Sequence, residues 1–517
     1  MSESPHQYGR RIGNGLWLLV ATAAVVVLLV FLMRDDGPQT GQGGDREMLV
    51  YCAAGVKKAV EEIAGKFEQE VGVSVALEYA SSGVLANKLK TDRESGIDRA
   101  DVYIPADYLY TERAAADGLT AESMKVASWK VVLAMKPDSP APPADADEVL
   151  QKKLSIVLCD PLAGVGRKTK KMLEQSGHWA AIDEAKAATF PTVTEAALAV
   201  KENAGTDGAF IWDSVARQFG LKVVELPELE ASKADISVAV TSSTRRPTLA
   251  LQFSRYLAAP TKGGGVFATH KYQPIAGDAW ALKPSLRLDC GGVNREAVEK
   301  TINEFREREG CEIDIVYAGC GTLVGKMQTG DQGLPDLFMT CDASYLDMVQ
   351  QKMGNPFGPD MRLSSTRIIM LVAKGNPHGI ESLEHLAKRG LRVGTTDPQA
   401  STLGAMSHHA IRETGQFDTI EPNIVMMADT AHTLVQTMEA GQQLDVVMVY
   451  EANVQHLEGQ FDFVPLQPKY AIAVQNVAAN KTTPYPRLAK RLMTRLASAT
   501  SRRRFEQLGF QWEAGDE

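Results

Sequence analysis

Apolar and polar positions along the chain alternate between two periods. "MLVYCA" (48–53) is a short unbroken apolar run suited to a buried strand. Val56, Val60, Ile63, Phe67 and Val71 then recur at helical spacing, and Gly72 ends the run. "VSVALEYA" (73–80) reads as the next strand, "SSGVLANKL" (81–89) opens another helix, and "ADVYIPA" (100–106) is a third strand. This alternation predicts an α/β fold, with ligand chemistry in loops at the carboxyl ends of the strands.

The pattern is written twice. "YASSGVLANKLK" at Tyr79 returns as "YAGCGTLVGKMQ" at Tyr317, 238 positions later. Cys52 and Cys290 share that offset, as do Trp212 and Tyr450, while Asp101 answers Asp336 at 235 and Asp160 answers Asp397 at 237. Five landmarks in one order, with offsets within three residues, predict two homologous domains over 48–283 and 284–517. The period is a whole domain, which excludes a solenoid of about 20–50-residue units.

Ahead of the repeats, Ile12–Met33 carries no charged residue. At about 1.5 Å per residue it is long enough for one bilayer core. Arg10 and Arg11 precede it and Asp35 and Asp36 follow, so residues 1–11 are expected in the cytoplasm and the rest outside. A cleaved signal peptide is the rival reading, but no A-x-A site closes the run and no lipobox cysteine follows. The expectation is an uncleaved single-pass anchor in the cell membrane, with 34–47 as a Gly-rich polar tether.

Composition changes this picture little. The chain has 517 residues, 44% hydrophobic and 23% charged, with a formal net charge of −9. No basic excess points to nucleic acid. The six cysteines form no CxxC pair. There is no G-x-S-x-G, HExxH or Walker-type loop, so a non-enzymatic protein without a cofactor is expected. "YASSG" sets two hydroxyls and a glycine on a loop entering a helix, where free N–H groups and the helix dipole suit an anion without Lys or Arg. "CAAG" before the Val56 helix offers a second nest of this kind. An ordinary helix cap is the competing reading of Ser81 and Ser82.

The series "VYCAAGVKKAVEEIAGKFEQEVGVSV…YASSGVLA…ADVYIPAD…CDP" resembles the molybdate-binding proteins of ABC importers, within the type II periplasmic solute-binding proteins, and the second half resembles them too. The resemblance covers nearly all of 48–517. It implies, for each copy, two α/β lobes joined by hinge strands, with an oxyanion in the cleft and an ABC permease as partner. It assigns the first cleft to Gly55, Ser81, Ser82, Gly166, Val193 and Trp212. Gly55 stands where the family has a serine, and Trp212 where it has a tyrosine. In the second copy the expected positions are Cys290, Gly292, Cys320, Thr430 and Tyr450, with Val293 near the lost serine. Leu403 aligns with Gly166, beside the hydroxyls of Ser401 and Thr402.

Cys320 replaces the serine, and Cys290, Cys320 and Cys341 each follow a predicted strand at the second cleft. Three readings stay open: small semi-buried packing residues, a Cys290–Cys320 disulfide, or a soft-metal or thiophilic-oxyanion site, with His408 and His409 nearby. A degenerate second cleft is a further possibility. The reading as a whole is a membrane-anchored, extracytoplasmic receptor for a tetrahedral oxyanion such as molybdate or tungstate. The alternative is an anion or thiophilic-metal sensor built on the second cleft, with or without a thiol-based activity.

Overall fold

The computed structural model describes residues 47–97, 99–139, 141–330, 333–441, 443–467 and 471–515. The expected anchor at 12–33 lies outside them, and among the described residues no helix is long and apolar enough to cross a membrane. Met48–Glu517 forms one compact unit.

The two apolar periods resolve into strands and helices as their spacing predicts. Val60, Ile63 and Phe67 are buried on one face of the helix Lys57–Val71, which ends at Gly72 in the left-handed region (φ 75°). Gly310 (φ 62°) ends the matching helix Arg295–Glu309 in the same way. Left-handed backbone favours glycine because a Cβ there crowds the following carbonyl.

Each repeat has the two-lobed type II architecture. In the first, a six-stranded sheet runs Gln273–Pro274, Thr120–Trp129, Ala234–Thr241, Val102–Ile104, Glu47–Ala53, Ser74–Ala80. A separate five-stranded sheet runs Ala188–Phe190, Ile156–Cys159, Gly208–Trp212, Val131–Met135, Lys222–Val224. The chain crosses between lobes at Lys130 and returns before Ala234. In the second repeat the crossing is one unbroken strand, Met361–Ala373, which joins both lobes into a ten-stranded sheet. Strands next to the clefts pair in parallel, Glu47–Ala53 with Val102–Ile104 and Ser285–Gly291 with Leu337–Met339. Parallel pairing sends several carboxyl ends, and the helices that follow them, to one edge.

The repeats meet through a buried polar interface. Glu309, 2% exposed, accepts from Arg491 at 2.6 and 3.0 Å and from Arg255 Nη1 at 3.2 Å, and the same Nη1 donates to the Glu309 carbonyl at 2.7 Å. Arg308 pairs with Glu122. Asp278 receives the Arg487 and Leu488 N–H groups, at the start of the helix Pro486–Leu496, at 2.7 and 3.0 Å. Bonds of this kind fix orientation, because each buried charge needs its partner in place.

Candidate functional site

Four helices of the first repeat begin where a strand ends at the cleft: Lys57–Val71 through a short turn at Ala54–Val56, Ser82–Glu94, Gly164–Gln175 and Val193–Glu202. Their first turns surround a cavity of about 20 Å³. Gly55, Ser81, Ser82, Val193 and Trp212 line it, together with Gly164 and Val165, and no charged side chain does. The residues preceding three of these helices, Val56, Ser81 and Ala163, make no side-chain capping bond. First-turn N–H groups are left to other acceptors. Thr192 is different, because its hydroxyl closes a capping box with Glu195 on its own helix.

Gly166 does not line the cavity. A Cβ there would sit 2.3 Å from the carbonyl oxygens of both Cys159 and Asp160, so the glycine lets the helix pack against the preceding turn. Its role is to seat the helix start that brings Gly164 and Val165 to the cleft. The second repeat corrects the expected alignment. A Cβ on Gly404, not on Leu403, would lie 2.4 Å from the carbonyl oxygens of Thr396 and Asp397, because the loop carries one extra residue.

Trp129 lies between Gly55 and Trp212. Trp129 stacks on Trp212 with ring centroids 4.5 Å apart and 9° between planes, and its Nε1 donates to the Ala106 carbonyl at 2.9 Å. A Cβ on Gly55 would lie 3.0 Å from the Trp129 ring and 3.1 Å from Val193 Cγ1. The indole occupies the space a serine side chain would need. Ser82 Oγ accepts from the Ala106 N–H at 3.0 Å, which leaves its own proton free to donate.

The first cleft is closed. Gly83 N–H, in the first turn of one lobe, donates to the Leu162 carbonyl of the other at 3.1 Å, and Tyr110 Oη donates to the same oxygen at 3.1 Å. Asp107 pairs with Arg167 across the cleft, and Lys168 lies 3.8 Å away. A water needs about 10–15 Å³ of such space, so the closed cavity has room for only one or two. Asp107→Asn keeps the helix cap that Asp107 gives Leu109 N–H and removes the cross-cleft charge. A partly buried pair is worth about 1 kcal/mol, so ligand release measured by stopped flow is expected to quicken roughly fivefold.

The second cleft holds about 440 Å³. Gly292, Val293, Thr430, Tyr450, Ser401 and Leu403 line it as expected positions, and so does Cys341. Cys290 and Cys320 are fully buried outside the lining. Ser401 spends its oxygen capping Gly404 N–H at 3.4 Å. Asp342 occupies the place of Asp107, but Ala405 and Met406 stand where Arg167 and Lys168 stand, so this latch is missing. All six cysteines are free thiols. Among the described residues no group of three or more His, Cys, Asp or Glu side chains is placed to hold a metal ion. Of the three readings of Cys290, Cys320 and Cys341, the soft-metal one finds no such group here: Cys290 donates to the Gly291 carbonyl at 3.6 Å, while Cys320 accepts the Cys341 N–H at 3.1 Å. His408 turns inward against Phe417, its Nε2 3.3 Å from Thr395 Oγ1, and burial holds its pKa below the usual value. Neither it nor His409 lines the cavity.

Comparison with known proteins places the chain in a family. The profile of the bacterial extracellular solute-binding proteins matches residues 48–265 and again 286–511. The chain belongs to that family and carries it as a tandem duplication. A putative binding protein of Haemophilus influenzae is 24% identical over 232 residues, which is 44% of this chain and 90% of the relative. A molybdate-binding protein of Mycobacterium bovis is 24% identical over 247 residues, 46% of this chain and 91% of the relative. The periplasmic molybdate-binding protein of Azotobacter vinelandii superposes with a TM-score of 0.37 at 19% identity, covering 44% of this chain and 98% of that structure.

Proposed function

We propose that the chain is an extracytoplasmic receptor that delivers a tetrahedral oxyanion, molybdate or tungstate before sulfate, to an ABC importer, and that the first cleft is its anion site. The observation that carries this reading is the convergence of four helix N-termini, with no charged side chain, on one small cavity lined by Ser81 and Ser82. Such a site stabilises an anion by oriented N–H dipoles and discriminates by size and donor geometry. The molybdate-binding relatives support the choice of anion. Binding would open the Gly83–Leu162 and Asp107–Arg167 contacts, admit the ion, and let the lobes close again with the Gly83 N–H and Ser82 Oγ–H turned to it. No step of this cycle breaks a covalent bond.

Thermal unfolding tests the reading. A ligand at about 100 times its Kd stabilises the folded state by about 2.7 kcal/mol, so molybdate or tungstate is expected to raise the unfolding temperature more than equal sulfate or phosphate. Equal or absent shifts for all four would remove the anion assignment.

The apolar run Ile12–Met33 is read as an uncleaved anchor that holds the receptor beside its permease and raises its effective concentration there. The full chain is expected to stay in the membrane fraction after alkaline carbonate washing, and a chain lacking residues 1–44 to be released. A full chain that washes off would exclude the anchor.

A further inference from the structure

The two repeats build the same hydrogen bond from different atoms. In the first, Ser82 Oγ accepts the Ala106 N–H at 3.0 Å; in the second, Cys320 Sγ accepts the Cys341 N–H at 3.1 Å. Both the serine and the alanine have become cysteine. The two sulfurs converge over Gly291, where an added Cβ would lie 2.4 Å from Cys341 Sγ and 3.1 Å from Cys320 Sγ, so glycine keeps that space open. Cys341 lines the 440 Å³ cavity, and Cys320 is buried beside it, outside the lining, so its sulfur meets a ligand only past Cys341. Tyr450, 3% exposed, lines the same cavity, and its buried hydroxyl has no hydrogen-bond partner.

The chemistry of the pair is unequal. Burial raises the Cys320 pKa, but the neighbouring Cys341 thiol and the Cys341 N–H that Cys320 Sγ accepts at 3.1 Å bring it below that of an ordinary thiol. Hydrogen bonding to Cys320 and burial push Cys341 well up. Cys320 is thus the more acidic sulfur of the pair and Cys341 the less acidic. Acidic side chains are added at the second cavity: Glu296 and Asp429, where the first repeat has Lys58 and Pro191, line it with Glu299 and Arg295. Arg295 is held over the Tyr317 ring at 5.2 Å. Three carboxylates at the mouth disfavour a dianion and leave a neutral ligand unaffected. Two converging sulfurs are too few for a metal cage and suffice for an acceptor that forms two covalent bonds to sulfur.

We propose that the second cleft captures a neutral trivalent metalloid hydroxide, of which arsenous acid is the simplest, through Cys320 and Cys341. The Cys320 sulfur bonds to arsenic, and the first hydroxide leaves as water with the Cys341 thiol proton. The Cys341 sulfur then forms the second As–S bond, and the second hydroxide leaves as water with a proton returned by solvent, the one Cys320 had released. The balance is As(OH)3 plus two thiols giving (RS)2AsOH plus two waters. Arsenic stays trivalent, and no oxidant or reductant is needed. The remaining As–OH would accept from the Tyr450 hydroxyl.

The test uses the full chain in detergent, reduced, freed of reductant under nitrogen, and treated with one equivalent of sodium arsenite. Intact-mass measurement is expected to show one arsenic per chain, and X-ray absorption two As–S bonds and one As–O bond. Peptide mapping is expected to show Cys341, the thiol that lines the cavity, protected from iodoacetamide by arsenite. Cys320→Ser and Cys341→Ala restore the residues the first repeat carries, so the backbone accommodates them. Each is expected to weaken binding about a hundredfold by removing the chelating partner, while Cys311→Ser leaves it unchanged. No bound arsenic, arsenic retained by the double variant, or equal binding by the urea-unfolded chain would overturn the proposal.

Discussion

Glu309→Gln is expected to lower the unfolding free energy of Met48–Glu517 by about 3–5 kcal/mol, read from urea denaturation. The glutamine keeps the shape of the side chain and can still accept hydrogen bonds, so the loss reports the charge. Arg255 and Arg491 would then share a 2%-exposed site without a counter-ion. Arg255 already suffers from this burial, which lowers its pKa against the pull of Glu309. Because the three residues come from helices in both repeats, the variant is also expected to split a single unfolding transition into two. A loss below about 1 kcal/mol would mean that water reaches the interface and screens the pair.

Gly166→Ala is the second large effect. Its Cβ would sit 2.3 Å from two carbonyl oxygens, backbone atoms that cannot rotate away. The helix Gly164–Gln175 has to move, and overpacking of this kind costs about 3 kcal/mol. The helix start would leave the cleft with it, so anion binding is expected to fall below detection even where the chain stays folded. Gly404→Ala meets the same clash at 2.4 Å in the second repeat and is expected to cost similar stability while leaving the first cleft intact. Comparing the two by urea denaturation and anion titration separates a folding defect from a site defect.

The repeat architecture was legible because it is written locally. Helical spacing at Val56–Val71, the stop at Gly72 and strand-sized apolar runs recur at near-constant offsets, and each depends only on near neighbours. The loop pattern singled out Ser81 and Ser82, and the family resemblance added Gly55, Val193 and Trp212; all five line the cavity. Long-range contacts were not legible. Nothing near Gly55 announces that Trp129, 74 positions away, fills its side-chain space. The Asp107–Arg167 latch joins two lobes, and the Glu309 cluster joins two repeats. The extra residue between Asp397 and Gly404 hid the true partner of Gly166. A cue did exist there: a glycine two residues into a helix, after "CDPLA" or "TDPQAS", marks close packing of that helix on its turn.

The most direct measurement is a calorimetric titration of Met48–Glu517 with molybdate, tungstate, sulfate and phosphate, each also run against Gly166→Ala. The account predicts one ion per chain, molybdate or tungstate bound more tightly than sulfate or phosphate, and no heat with the variant. No binding of any of the four, or binding that survives Gly166→Ala unchanged, would contradict it.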